Sequence, residues 1–258
     1  MLNDIWVYLA ASPLLWLTVT LLVYLAGHGL FRYSGGRAIF NPVALAIALL
    51  ALILLLTGTP YATYFKGAQF IHFLLGPATV ALAIPLYLHW ERVRQLFLPI
   101  LAGLLTGSLT GILSAIGLAW LLGGSPRTLL SLAPKSVTTP VAMGIAEKIG
   151  GLPSLTAVIV ILTGVVGAVA APALLHSLRI RDDAVKGMAI GVAAHGIGTA
   201  RALQISSLAG AFAGLAIGLN ALLTTLLAPL IVRLTIIHSS SSLTPGIDRA
   251  HSTTPWGR

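Results

Sequence analysis

The sequence predicts an all-α fold: a polytopic bundle of transmembrane helices with two broken or re-entrant segments. Three observations predict it. Hydrophobic residues make up 57% of the 258-residue chain and charged residues 8%, against about 25% charged in a soluble globular domain. The apolar residues, with a mean hydropathy of +0.97, gather in runs near the roughly 20 that a helix needs to cross the hydrocarbon core. Two further runs, 126–149 and 184–206, are interrupted by proline, glycine and charge. So few charges cannot cover a soluble surface, which excludes a soluble enzyme, a disordered chain and a coiled coil.

The continuous spans are expected at Ile5–Leu30, Pro42–Thr57, Phe70–Leu88, Leu96–Leu122, Leu155–Leu178 and Leu208–Val232. The first lacks the basic start and short apolar run of a secretory signal, and reads as an uncleaved span. The second is short for a full crossing. Gly76-Pro77 and Pro85 interrupt the third mildly. Segment 126–149 holds Pro126, Pro134 and Pro140, and segment 184–206 holds Gly187, Gly191, Gly196 and Gly198. Broken backbone at membrane depth is tolerated only where protein or a watery cavity covers it, and it is a pointer to a transporter site. One transmembrane domain is expected over 1–237, followed by a Ser/Thr/Pro-rich disordered tail over 238–258.

The net charge of +9 suits basic cytoplasmic loops rather than nucleic acid. Arg32 and Arg37, Arg92 and Arg94, and Arg179, Arg181 and Lys186 form three basic clusters. If 126–149 crossed the membrane once, the third cluster would fall opposite the other two. A segment that dips in and returns puts all three on one side. Leu105-Thr106-Gly107 recurs as Leu162-Thr163-Gly164 at an offset of 57, which suggests an inverted repeat. Glycines at 103/107/111, 187/191 and 210/214/218 permit close helix packing, within the chain or in a homo-oligomer.

The absence of cysteine excludes disulfides, thiol catalysis and Cys-type zinc sites. Nucleophile-elbow, P-loop and zincin motifs are missing, so neither an enzyme nor a cofactor is expected. The chemistry concentrates in PKSVTTP (134–140). A mid-membrane lysine usually faces protein or water. Around Lys135 stand Ser136, Thr138 and Thr139, and Pro140 can open a helix whose free N–H groups favour an anion. Together they suit a small carboxylate, unless Lys135 merely snorkels. Arg201, with His195 and Thr199, is a second anion-binding candidate, and equally a helix end near an interface. Glu147 and His195 could couple a proton; pairing of Glu147 with Lys148 or Arg201, and a simple hydrogen bond to His195, are the plainer readings. His28, His72, His89 and His176 show no metal-ligand spacing, and Trp6, Trp16, Trp90 and Trp120 fit interfacial belts.

The strings Tyr64-Phe-Lys66-Gly67, LLGPATVALAIPLY (74–87), PKSVTTPVAM (134–143) and HGIGTAR (195–201) resemble the LrgB/CidB family, which includes the LrgB-like half of the plastid glycolate/glycerate translocator. The likeness spans about residues 5–235. It implies a multi-pass protein of the bacterial inner (plasma) membrane, in contact with lipid and encoded beside a smaller LrgA/CidA-like membrane partner. It implies two functions: a carrier of small monocarboxylates such as pyruvate, glycolate or glycerate, or a holin/antiholin-like modulator of murein hydrolase export and cell lysis. The family's motif positions fall here on Asn41, Lys66, Pro77, Lys135, Ser136, Thr138, Thr139, His195, Thr199 and Arg201. Members often carry acidic residues after GTAR, where this chain has Gln204-Ile-Ser-Ser207; if that carboxylate serves cation coupling in the family, coupling here is lost or falls to Glu147. The leading expectation is a carrier in which Lys135 and Arg201 meet at the midplane around the substrate carboxylate.

Overall fold

The computed structural model describes residues 12–81 and 83–241, and among them the regular structure is entirely helical. The amino-terminal part comprises α1 (Pro13–Tyr33), a 3-10 turn (Ala38–Phe40) and α2 (Pro42–Thr57). A third crossing follows in short pieces: α3 (Tyr61–Phe73), α4 (Leu75–Ala81) and α5 (Ala83–Leu88). It begins nine residues before the expected Phe70, because Tyr61–Phe73 is apolar enough to continue the helix backwards past Lys66. The short α6 (Trp90–Gln95) then leads into the part that holds the site. This consists of α7 (Phe97–Leu121), α8 (Pro126–Leu132), α9 (Thr139–Ile149), α10 (Pro153–Ser177), α11 (Asp183–Ile205) and α12 (Ser207–Ser241). The first span is described from Pro13 onward, and 242–258 of the expected tail lie outside the described residues; α12 itself runs past the expected boundary at 237.

Among the described residues, five helical stretches are long and apolar enough to cross a membrane, and α2 is a shorter apolar helix. Local sequence sets their ends. Asn41 accepts from the N–H groups of Val43 and Ala44 and so caps α2, while Gly58 closes it in the left-handed conformation. Asp182 caps α11 by accepting from Ala184 N and Val185 N. The Val185 N–H is the main reason that the Asp182 carboxyl lies below its usual range. Trp16, fully buried in α1, meets Tyr64 of α3 edge to face at 5.9 Å.

The side on which each helix ends follows from a few contacts. Arg92 pairs with Asp182 at 3.1 Å, so α7 starts where α10 ends and α11 begins. Helices α7 and α10 are 25 residues each, about 37 Å at 1.5 Å per residue. Their other ends, Leu121 and Pro153, therefore share the opposite face. Segment 126–149 begins and finishes there: Leu152 N donates to Ser131 Oγ at 2.8 Å, and Thr156 Oγ1 to the Ser131 carbonyl at 3.0 Å. It enters, breaks over 133–138 and returns, the re-entrant path that the basic loops predict.

Segment 184–206 returns too. A straight helix of 23 residues would separate its ends by about 34 Å, yet the Asp183 carboxylate accepts a hydrogen bond from Ser206. The chain reverses at His195, whose φ of 41° and ψ of −135° are non-helical. Gly198 on the outgoing arm packs against Ile190 and Ala194 on the ingoing one. The ingoing arm also lies against α12, where a Cβ at Gly187 would collide with the Ala209 carbonyl. That glycine row is used within the chain.

The molecule thus contains two like units in opposite senses. Helix α7 with the α8–α9 hairpin occupies 97–149, and α10 with the α11 hairpin occupies 153–205; the long helices and the final hairpin residues correspond at an offset of 56. The hairpins enter from opposite faces. Phe31 lies under Arg201, 5.3 Å from its ring centre, which brings the end of α1 to the base of the α11 hairpin. The three basic loops accordingly share one face, which the charge rule assigns to the cytoplasm.

Candidate functional site

The two hairpin tips meet about halfway along α7. Gly111 of α7 faces Ser136 in the first tip, and Gly107 faces Val192 just before the second. Beside them lies a cavity of about 600 Å³ between α7 and the ingoing arm of α11. Its wall is mostly apolar, with Ile100, Met188 and Phe212 towards the basic face. Lys135 and Ser136 line it, and among the described residues Lys135 is its one charged residue. Thr106, Thr110 and Ser114 add hydroxyl groups along α7.

The lysine is half-buried. Its Nζ stands 3.4 Å from Ser136 Oγ, long for a hydrogen bond, and among the described residues no carboxylate pairs with it. The break explains its position: residues 133–138 belong to neither α8 nor α9, so the side chain leaves the tip instead of a helix face. Thr138 has the extended backbone of a helix N-cap without a side-chain capping bond, and Thr139 opens α9. The helix N-terminus expected at Pro140 is present one residue earlier, beside the lysine.

The other predicted residues occupy different places. His195 is buried at the second tip, with Nε2 2.8 Å from the Val160 carbonyl of α10. Thr199 is buried and donates to the His195 carbonyl at 3.0 Å. Neither lines the cavity. Arg201 sits further out on the returning arm, donating to Gln204 Oε1 at 2.8 Å and stacking on Phe31. It does not line the cavity either, so the structure does not bring Arg201 and Lys135 onto one cavity. The reversal at His195 is the reason: it sends the residues after it back towards the basic face. Asn41 serves as the cap of α2, Pro77 is exposed on α4, and Glu147 is exposed in the last turn of α9. Gly103, Gly107 and Gly111 line the cavity.

The residue that the sequence reading passes over is Asn220, buried in α12. Its Nδ2 donates to the Ser136 carbonyl at 3.1 Å and to the Val192 carbonyl at 3.3 Å, and Ser108 Oγ donates to its Oδ1 at 2.5 Å. One amide therefore ties both tips to α7. A lone asparagine in the apolar run Leu208–Val232 is the available signal, since a polar group at that depth needs a partner.

Comparison with known proteins agrees with the resemblance that the motifs carry. The model of the LrgB-like family matches residues 20–234. YwbG of Bacillus subtilis (strain 168) is 36% identical over 216 residues, covering 84% of this chain and 96% of YwbG. YxaC of the same organism is 40% identical over 191 residues, 74% of this chain and 83% of its own. The protein named "Antiholin-like protein LrgB" in Bacillus cereus (strain B4264) is 29% identical over 219 residues, 85% of this chain and 95% of that one. No solved structure matches. With the family model matching from within α1 to within α12, the chain belongs to the LrgB-like family.

Proposed function

We propose that this LrgB-family membrane protein carries a small monocarboxylate, a 2-oxo or 2-hydroxy acid such as pyruvate, glycolate or glycerate, across the bacterial inner membrane. One observation supports this above the others: a lysine without a carboxylate partner among the described residues stands at mid-depth on the wall of a cavity. A cation kept there at a cost of about 2.5–3.5 kcal/mol on insertion scales calls for an anion. The Lys135 ammonium would meet the carboxylate, and the hydroxyls of Ser136 and Thr110 its remaining oxygens. Thr138 and Thr139 would act by shaping the turn into α9. His195, Thr199 and Arg201 would hold the opposite hairpin in shape. Because the hairpins enter from opposite faces, movement of one bundle against the other would open the cavity to each side in turn. The protein acts here as a carrier and not as an enzyme.

The test is uptake of labelled pyruvate or glycolate into proteoliposomes. Saturable uptake by the wild type, reduced to the protein-free background in Lys135→Ala, is the expected result. Wild-type flux no greater than that of Lys135→Ala would remove the proposal.

A second reading has its own support in the name of the Bacillus cereus relatives. As an antiholin-like protein, the chain would modulate murein hydrolase export and lysis as an oligomer with a smaller LrgA-type membrane partner. The relatives' names favour this second reading, whereas the chemistry of the cavity favours the first. Leakage from liposomes that neither saturates nor depends on solute size would decide for the second, as would activity only when the partner is co-reconstituted.

A further inference from the structure

Where the hairpin tips cross, a group of buried oxygen atoms has no part in the carboxylate reading. Asn220 is 1% exposed, and Ser108 and Thr224 are each 2% exposed. Besides its bonds to the Ser136 and Val192 carbonyls and to Ser108, the Asn220 amide has Thr224 Oγ1 3.5 Å from its Oδ1. Both carbonyls come from interrupted helices. The Val192 carbonyl would ordinarily take the N–H of Gly196, which lies beyond the reversal at His195, and Ser136 lies within the break after α8. Val192 also belongs to the last turn of the ingoing arm, where carbonyl ends carry partial negative charge.

This network can be inverted, and the inversion leaves acceptors facing one another. A hydroxyl both donates and accepts, whereas a carbonyl only accepts. If the Asn220 amide turns over, Nδ2 faces the hydroxyls of Ser108 and Thr224, which accept. Oδ1 then joins the Ser136 and Val192 carbonyls, giving three acceptors with no donor among them. Three converging oxygens repel one another unless a cation lies between them. All are neutral, and the cluster includes no carboxylate of the kind on which calcium and magnesium sites rely. Freed carbonyls and half-helix carboxyl ends of this kind are sodium ligands in transporters with broken helices.

We propose that the crossing of the two tips is a sodium site, formed by the carbonyl oxygens of Ser136 and Val192 and by Oδ1 of Asn220. The hydroxyls of Ser108 and Thr224 hold the turned amide in place. Ser136 belongs to both sites, since its carbonyl faces the ion and its hydroxyl faces Lys135 Nζ. An ion here draws the tips together and fixes Ser136, so ion and anion favour each other's binding. That coupling rests on the carrier reading; the ion site itself does not.

The experiment measures radioactive sodium binding to the purified full-length protein in detergent, with no carboxylate present. Saturable binding displaced by sodium but not by potassium is expected in the wild type. It should be lost in Asn220→Leu and weakened about tenfold, 1.4 kcal/mol, in Ser108→Ala. Asn220→Asp adds a charge and should bind sodium more tightly at alkaline pH, a gain that misfolding cannot imitate. No saturable binding by a monodisperse wild type, or unchanged binding in a monodisperse Asn220→Leu, overturns the site. Proteoliposome uptake separates the two proposals. Sodium binding without carboxylate uptake upholds the ion site and defeats the carrier; uptake without sodium binding does the reverse. Uptake no faster in sodium than in potassium overturns the coupling.

Discussion

At the scale of single residues, the unusual positions in the broken segments are costly ones. His195 holds a positive φ, for which a non-glycine residue pays about 1–3 kcal/mol, and its bond to the Val160 carbonyl offsets part of that cost. His195→Ala keeps the strain and loses the bond; His195→Gly loses the bond but not the permitted backbone. His195→Gly should therefore melt above His195→Ala in detergent, by an amount on the order of 1 kcal/mol. The reverse order would mean that the backbone at this position carries no strain that glycine relieves. Lys135 is costly in a different way, since among the described residues no carboxylate partner offsets its position. Lys135→Met should melt no lower than the wild type while abolishing carboxylate uptake, the trade of stability against activity expected where a site is kept for function. A large loss of melting temperature would make Lys135 a structural residue. Among these residues the sequence makes Lys135 visible, because charge in an apolar run stands out. It hides Asn220, whose importance lies in which carbonyls meet it.

At the scale of elements, the two hairpins differ in how plainly the sequence announces them. Three prolines and the count of basic loops suffice to turn 126–149 back on itself. Segment 184–206 contains no proline, and a break at glycines is equally compatible with a kinked crossing. What reverses it is one residue's backbone, followed by Gly198, which lets the arms touch. Arg201 is misplaced by expectation for the same cause, as its position depends on the direction taken after His195. The chain lacks cysteine, so paired substitutions give a clean test. Cysteines at 123 and 151 should react with an impermeant reagent from one face, and cysteines at 181 and 206 from the other. Asp183→Cys with Ser206→Cys should cross-link in the folded protein, read as a mobility shift reversed by reductant. Failure to cross-link, with 181 and 206 labelled from opposite faces, would restore a crossing helix.

At the scale of the whole molecule, the two units place their tips at the same depth from opposite sides, and α12 runs past both. Cavity and oxygen cluster lie on either side of Ser136, and Asn220 ties its carbonyl to the opposite hairpin. This was legible in outline, through the basic loops that share one face and a suggested Leu-Thr-Gly repeat, whose offset of 57 is one more than that of the helices. The depth at which the tips meet was not, because it depends on helix lengths on both sides of each break. Such an architecture has a consequence for biogenesis. Turned upside down, one helix-and-hairpin followed by a second in the opposite sense looks much the same to the lipid, so these two units barely record which way up they belong. That information resides in a few arginines at one rim, chiefly Arg92, Arg94, Arg179 and Arg181. Replacing all four by alanine should yield a mixed population, with a cysteine at 123 labelled from both sides of sealed vesicles in separate molecules. The same surface charge that makes this chain basic is then what tells its two near-equivalent ends apart as the membrane receives them.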